Sequence, residues 1–208
     1  MAITFPITNL LTRGQVLTKA FDSVNRQSYS RMAGGGAIAY DFGSAIWKAS
    51  YATATMGYDD CIDFEARLQA LEGAVGTFYG MDTRRWYPRN YPSGVFTDSG
   101  VVSSLGGDGK SMAISGLPAS FAISIGDYFQ ITVSSVPLLY RAIEAVTANG
   151  VGLTATFACL PHYDTGITVG MAVKFKQPAC LMRLDPGSVQ FNDAGRALGT
   201  VAFSAIQV

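Results

Sequence analysis

A phosphate site is the first chemistry that the residue types of this chain suggest. Gly106-Gly107-Asp108-Gly109-Lys110-Ser111 sets glycines before a lysine and a hydroxyl, the groups with which a glycine-rich loop cradles phosphate oxygens. The spacing fails, because that loop needs a glycine five positions before Gly109, where Ser104 stands, and a helix must begin at the lysine so that its amides face the anion. Met112 to Pro118 reads instead as a short strand running into a turn. His162 is the single histidine. One imidazole cannot build a multi-histidine metal site within the chain, and no G-x-S-x-G elbow is present for it to serve. Its place after Pro161 predicts a strand-end loop. Asp59, Asp60, Asp63 and Glu65 lack the alternating ligands and central glycine of a calcium loop. They read as carboxylates gathered at the positive end of a helix dipole. No catalytic, cofactor-binding or metal-binding residue is assigned, and no enzyme activity is expected.

Arg84, Arg85, Trp86 and Tyr87, with Tyr79 and Tyr91 nearby, form the remaining cluster. Guanidinium planes and aromatic faces suit stacking on sugars or bases. The same residue types are enriched in protein interfaces. No basic stripe accompanies the cluster, which favours the interface. Cys61, Cys159 and Cys180 lie far apart and are odd in number, so free buried thiols are expected.

Elements that could position these residues are mostly strands. Gln15 to Val24, Ala37 to Phe42 and Ala45 to Met56 read as strands, the last placing Trp47, Ala49 and Tyr51 on one face. Gly34-Gly35-Gly36 separates two of them as a flexible loop. A short helix follows, with Asp59 or Asp60 as its cap, Phe64, Leu68 and Leu71 on a shared face, and Gly73 as its C-terminal cap. Phe129, Ile131 and Val133 alternate with Tyr128, Gln130 and Thr132, and Leu153, Ala155, Phe157 and Cys159 alternate with Thr154, Thr156 and Ala158. Leu139 to Ala148 is a further strand, and Asn149-Gly150 after it is a hairpin signal. Between Tyr91 and Gly109 the composition shifts to Ser, Gly and Asp, as in a connection between modules. A second boundary is expected after Pro161, with strand-like patterns resuming at Ala172 to Leu184 and Thr200 to Val208.

The chain has 208 residues, of which 49% are hydrophobic, enough to bury a substantial core. Only 14% are charged, against roughly 25% in an average soluble domain, so part of the surface is expected to be covered by neighbours. Fifteen basic residues balance fifteen acidic ones. This argues against a dedicated nucleic-acid domain and against membrane-surface binding. Met1 to Pro6 does not read as a secretory signal, and no apolar run reaches the length of a membrane helix. Synthesis in a reducing cytoplasm is expected.

Leu71-Glu72-Gly73-Ala74-Val75-Gly76-Thr77-Phe78-Tyr79 followed by Asp82-Thr83-Arg84-Arg85-Trp86-Tyr87-Pro88, after strands with a Trp and a helix, resembles the N-terminal module of tail proteins from long-tailed bacteriophages and gene transfer agents. Gly116-Leu117-Pro118, Gly126-Asp127-Tyr128-Phe129, Tyr140-Arg141-Ala142-Ile143-Glu144 and the strand ending at Leu160-Pro161 are similar to a small β-barrel that such proteins carry. The family is that of the distal tail protein. The resemblance implies a mainly β fold: a β-sandwich with one α-helix, residues 1–92 plus 165–208, carrying an inserted barrel of the oligonucleotide/oligosaccharide-binding type at 93–164. It implies a homo-hexameric ring in the virion tail, joining the tail tube protein to the hub and tip proteins, with no cofactor and no direct contact to nucleic acid or membrane. Another tail-tip subunit, such as a tube cap or hub-proximal protein, and a carbohydrate-binding module using Trp86 and Tyr87 are the alternatives. The inserted barrel reads as separable from its host.

Overall fold

A computed structural model describes residues 4–11, 15–163, 166–195 and 197–208. Met1, Ala2 and Ile3 of the segment judged not to be a signal, and residues 164–165 at the expected second boundary, lie outside them. The fold is mainly β. In chain order β1 (Val16–Val24), β2 (Gln27–Arg31), β3 (Ala37–Asp41), β4 (Ile46–Thr53) and β5 (Met56–Gly57) precede helix α1 (Tyr58–Gln69). Then come β6 (Phe78–Gly80), β7 (Gly100–Leu105), β8 (Ser111–Ser115), β9 (Ala122–Ile123), β10 (Tyr128–Val133) and β11 (Val136–Ala142). The chain ends with β12 (Val146–Thr147), β13 (Phe157–Leu160), β14 (Ala172–Lys174), β15 (Cys180–Leu184), β16 (Gln190–Gly195) and β17 (Leu198–Gln207).

One sheet runs β1-β4-β17-β15-β6, with β5 and β16 flanking the first half of β17. Alternation decides which of its faces is buried: Trp47, Ala49 and Tyr51 of β4 are fully buried, as are Phe21 of β1 and Val201, Phe203 and Ala205 of β17. Register puts Phe21 opposite Ala49 and Phe203 opposite Tyr51, so all point to the same side. Helix α1 covers one end of that face. Its Phe64 ring lies 6.0 Å from Phe203, which also meets Tyr51 at 5.2 Å and Phe78 at 6.3 Å. Cys61, Phe64 and Leu68 form the buried stripe of the helix, joined by Leu71 just beyond it. The expected caps are corrected. Gly57 is the N-cap and no side chain bonds there, while Asp59 and Asp60 sit in the first turn. At the other end Ala70 is the C-cap. Gly73 at φ +67° serves the later chain reversal, closed by the Gly76 amide on the Leu71 carbonyl at 2.7 Å.

The second core lies inside a closed antiparallel barrel, β10-β11-β13-β8-β7-β14. Val102, Ile114, Phe129, Ile131, Phe157, Cys159, Val173 and Phe175 fill it. Two expectations change here. The Ser/Gly stretch read as a connection contains β7, whose Gly100 sits so close to Ile114, Leu117 and the Val173 carbonyl that a Cβ would meet them at 3.2–3.3 Å. The run Ala172 to Leu184 is two strands in different bodies, since β14 closes the barrel and β15 joins the sheet. The barrel therefore extends past residue 164. Asn149-Gly150 also differs. Asn149 Oδ1 accepts from the amides of Val151 and Leu153, both at 3.0 Å, and Gly152 carries the positive φ. That tight turn joins no paired strands, because β12 pairs with β9 and β13 with β8 and β11.

Sheet and barrel share a seam. Beyond the reach of α1, the face of the sheet is covered by the barrel wall: Tyr128 lies 5.6 Å from the Trp47 ring and 5.8 Å from Phe21, both edge-on. The buried Trp47 indole donates to the Leu139 carbonyl at 2.8 Å, and the Arg141 guanidinium stands 5.8 Å above the same ring. Tyr128 and Leu139 belong to the core of the sheet although their strands belong to the barrel. The start of strand β10 is thus buried on both faces, Phe129 and Ile131 inward and Tyr128 outward, while Thr132 on the outward face is exposed.

Candidate functional site

The Arg84–Tyr87 cluster is built at the corner where the chain leaves the sheet for the barrel. Asp82 is buried and organises it. Its Oδ1 accepts from the Arg84 amide at 3.0 Å and from Arg84 Nε at 2.9 Å, and its Oδ2 accepts from Arg84 Nη2 at 3.0 Å. This bidentate hydrogen bond is the main cause that holds the guanidinium above its ordinary pKa, and it fixes the plane of the group. Thr83 is locked to β1 by reciprocal bonds with Thr18, each amide donating to the other's Oγ1 at 2.8 Å. From the barrel side, Asp127 receives the Arg89 amide at 2.9 Å and the Ser124 amide at 2.8 Å, with Arg85 Nη1 3.9 Å away. The Gln177 amide donates to the Trp86 carbonyl at 2.8 Å. Three distant parts of the chain therefore meet at one rigid corner.

A cleft of about 300 Å³ opens there, lined by Arg84, Arg85, Trp86, Tyr87, Pro88, Arg89 and Pro92. Tyr87 is pressed so closely on Gly94 that a Cβ at that glycine would meet its ring at 2.6 Å. The structure thus brings Arg84, Arg85, Trp86 and Tyr87 together around one opening and adds Arg89, which sequence reading left out. Tyr79 faces a different groove, of about 340 Å³, with Gln130 and Lys174. Tyr91 turns inward and stacks on Phe121 at 4.5 Å.

The other candidate groups are absorbed by the fold. Gly106 to Lys110 forms the turn between β7 and β8, where the Lys110 amide on Asp108 Oδ1 at 2.9 Å is the main cause that lowers the Asp108 carboxyl pKa. The Tyr163 hydroxyl donates to the Gly106 and Ser111 carbonyls, which spans the turn where a phosphate would have to enter. His162 lies in the loop after β13, and its carbonyl accepts from Ser44 Oγ at 2.8 Å. Among the described residues no group of three or more His, Cys, Asp or Glu is placed to hold a metal ion.

Cys61, Cys159 and Cys180 are free and buried. Burial pushes the Cys159 thiol from 9.0 up to about 12 and raises Cys180 as well. At about pH 8 a thiol reagent is expected to label none of the three in the native chain and all of them after denaturation. Rapid labelling of the native chain would contradict this burial. Because the folded state favours the neutral Cys159 thiol, its contribution is complete below its ordinary pKa and is lost as pH rises from 9.0 to about 12. The urea midpoint should fall across that window, and less steeply in Cys159→Ala.

Two exposed surfaces were read only in part from the sequence, which gave β3 but neither β2 nor β16. Among the described residues strands β2 and β3 pair only with each other, and every residue from Gln27 to Asp41 is exposed. Among the described residues strand β16 pairs only with β17, and it is likewise exposed throughout. Its Phe191 packs edge-on against Tyr58 at 5.8 Å. The Gly195 amide donates to Asp193 at 2.6 Å and is the first cause of the lowered Asp193 pKa, followed by the Tyr58 hydroxyl.

No family model matches the chain, and no curated protein matches it.

Proposed function

We propose that this chain is a structural subunit of a phage-type tail tip, forming a homo-hexameric ring that joins the tail tube to the hub and tip proteins. The observation that carries this reading is the pair of unpartnered β surfaces at the two ends of one sheet. The β2–β3 hairpin leaves from the Val24/Ile46 end, whereas β16 lies beside the start of β17, where Leu198 pairs with Gly57 beyond the other end of β4. A subunit with exposed β structure at both ends is suited to head-to-tail contact, which generates rings when the rotation closes. The low charge fraction and the resemblance to distal tail proteins agree with this reading.

Affinity-gold labelling of a tagged chain in tail particles of its source is expected to mark the distal end of the tail. Absence of the chain from purified tails would sink the proposal. A second reading, a carbohydrate-binding module, is favoured by the Trp86–Arg89 cleft. It predicts binding of an acidic oligosaccharide that Trp86→Ala weakens at least tenfold. A glycan screen in which native and Trp86→Ala chains behave alike rejects it.

A further inference from the structure

We propose that the β2–β3 hairpin of one copy docks on the β16 arm of a second copy, by a contact that is head-to-tail rather than symmetric. This rests on the ring reading and names the two surfaces that would build it.

A two-stranded hairpin standing alone is marginally stable in water. This one has no buried residue to hold it. Its side chains are nonetheless sorted. Opposed residues of an antiparallel pair share a face and successive residues alternate. Tyr40 opposes Ser28 and Ile38 opposes Ser30. The Phe42 amide reaches the Arg26 carbonyl at 2.8 Å and the Met32 amide reaches that of Gly36, also at 2.8 Å, continuing the ladder in both directions. Met32, Ile38, Tyr40 and Phe42 therefore line one face, at exposures of 50%, 38%, 63% and 66%. With roughly 150–250 Å² per aromatic side chain, that stripe presents on the order of 350–500 Å² of apolar surface. A standard interface covers about 800 Å² per partner, a little over half of it apolar. One hairpin face thus supplies the apolar share of one contact.

The opposite end of the sheet offers the complement. Among the described residues strand β16 has a free outer edge, and its Phe191 is 43% exposed. The charges oppose as well: the hairpin carries Arg26 and Arg31 against Asp41, whereas the arm carries Asp193 and the adjoining helix start Asp59 and Asp60. Two copies set in opposite directions would close this contact twice about a two-fold axis, whereas copies related by a rotation that is not two-fold repeat it head-to-tail, and the ring reading takes the second arrangement. Each copy gives its hairpin to one neighbour and receives a hairpin from another.

The test uses two variants of the full chain that retain the wild-type melting behaviour, one with Tyr40→Asp and Phe42→Asp, the other with Phe191→Asp. Each alone is expected to be monomeric under conditions in which the wild type assembles. Mixed one to one, they should form a heterodimer and nothing larger, because one intact hairpin meets one intact arm. Oxidative cross-linking of a Tyr40→Cys chain with a Phe191→Cys chain is the second measurement, and should give a disulfide between copies, the three natural thiols being buried. Assembly of the Phe191→Asp chain like wild type, or a mixture that stays monomeric while wild type assembles and no cross-link forms, overturns the docking pair and leaves the ring reading standing. A wild type that stays monomeric and uncross-linked at every concentration overturns both.

Discussion

Excising residues 97–163 and closing the gap with a short Gly/Ser linker is expected to abolish folding of the remainder. An inserted domain that merely hangs from its host could be removed, but here the barrel wall is the roof over one end of the sheet. Without Tyr128 and Leu139, the faces of Trp47 and Phe21 open to water, and the Trp47 indole loses its buried acceptor. Uncovering two aromatic side chains costs on the order of 5–10 kcal/mol, as much as the whole stability of an ordinary domain. Strand β14 with its Val173, and Phe175 just beyond it, are also orphaned, because β14 closes the barrel from beyond the excised segment. Circular dichroism and solubility of the truncated chain check this. A soluble, cooperatively melting product would show that the seam is dispensable.

Leu68 gives the second large effect. It is 1% exposed on α1, in the same buried cluster as Phe64 and Phe203. Leu68→Ala should cost about 2–5 kcal/mol, as truncation of a buried leucine does. Leu68→Asp places a carboxylate in the same buried hydrophobic cluster and should prevent folding, because burying an unpaired charge costs more than the stability of an ordinary domain can bear. Urea denaturation measures the first, and expression with a folding assay the second. An aspartate variant that melts like the wild type would contradict the packing of α1 on the sheet.

Both sites were partly legible in the sequence. Period-two alternation marked Trp47, Ala49 and Tyr51 as one face, and the spacing of Phe64, Leu68 and Leu71 marked the helix stripe; each pattern reflects burial on a single side. The seam was not legible, because Tyr128 is buried on the face that alternation assigns to solvent, and only tertiary contact tells one covered face from two. The alternation of residues 153–160 holds at Phe157 and Cys159 but reverses at Thr154, which is buried because its Oγ1 accepts from the Ile114 amide at 2.9 Å. Strand β2, Gln27-Ser28-Tyr29-Ser30-Arg31, shows no hydrophobic alternation because neither face is buried within the chain. Strand β7 was hidden by its small residues. Its Gly100 is required by close packing, and Ser103 and Ser104 need no apolar partner. At the Arg84–Tyr87 corner the residue types were visible in sequence, whereas the buried Asp82 and Asp127 that orient them could be recognised only once β1 and the barrel were seen to converge.

The central claim, that this chain is a ring-forming subunit, is tested most directly by native mass measurement of the purified full-length protein across a wide concentration range. The account predicts a single closed species of six copies, growing at the expense of monomer as concentration rises, with no open-ended series beyond it. A protein that remains monomeric throughout, or that stops at a symmetric dimer, would contradict it.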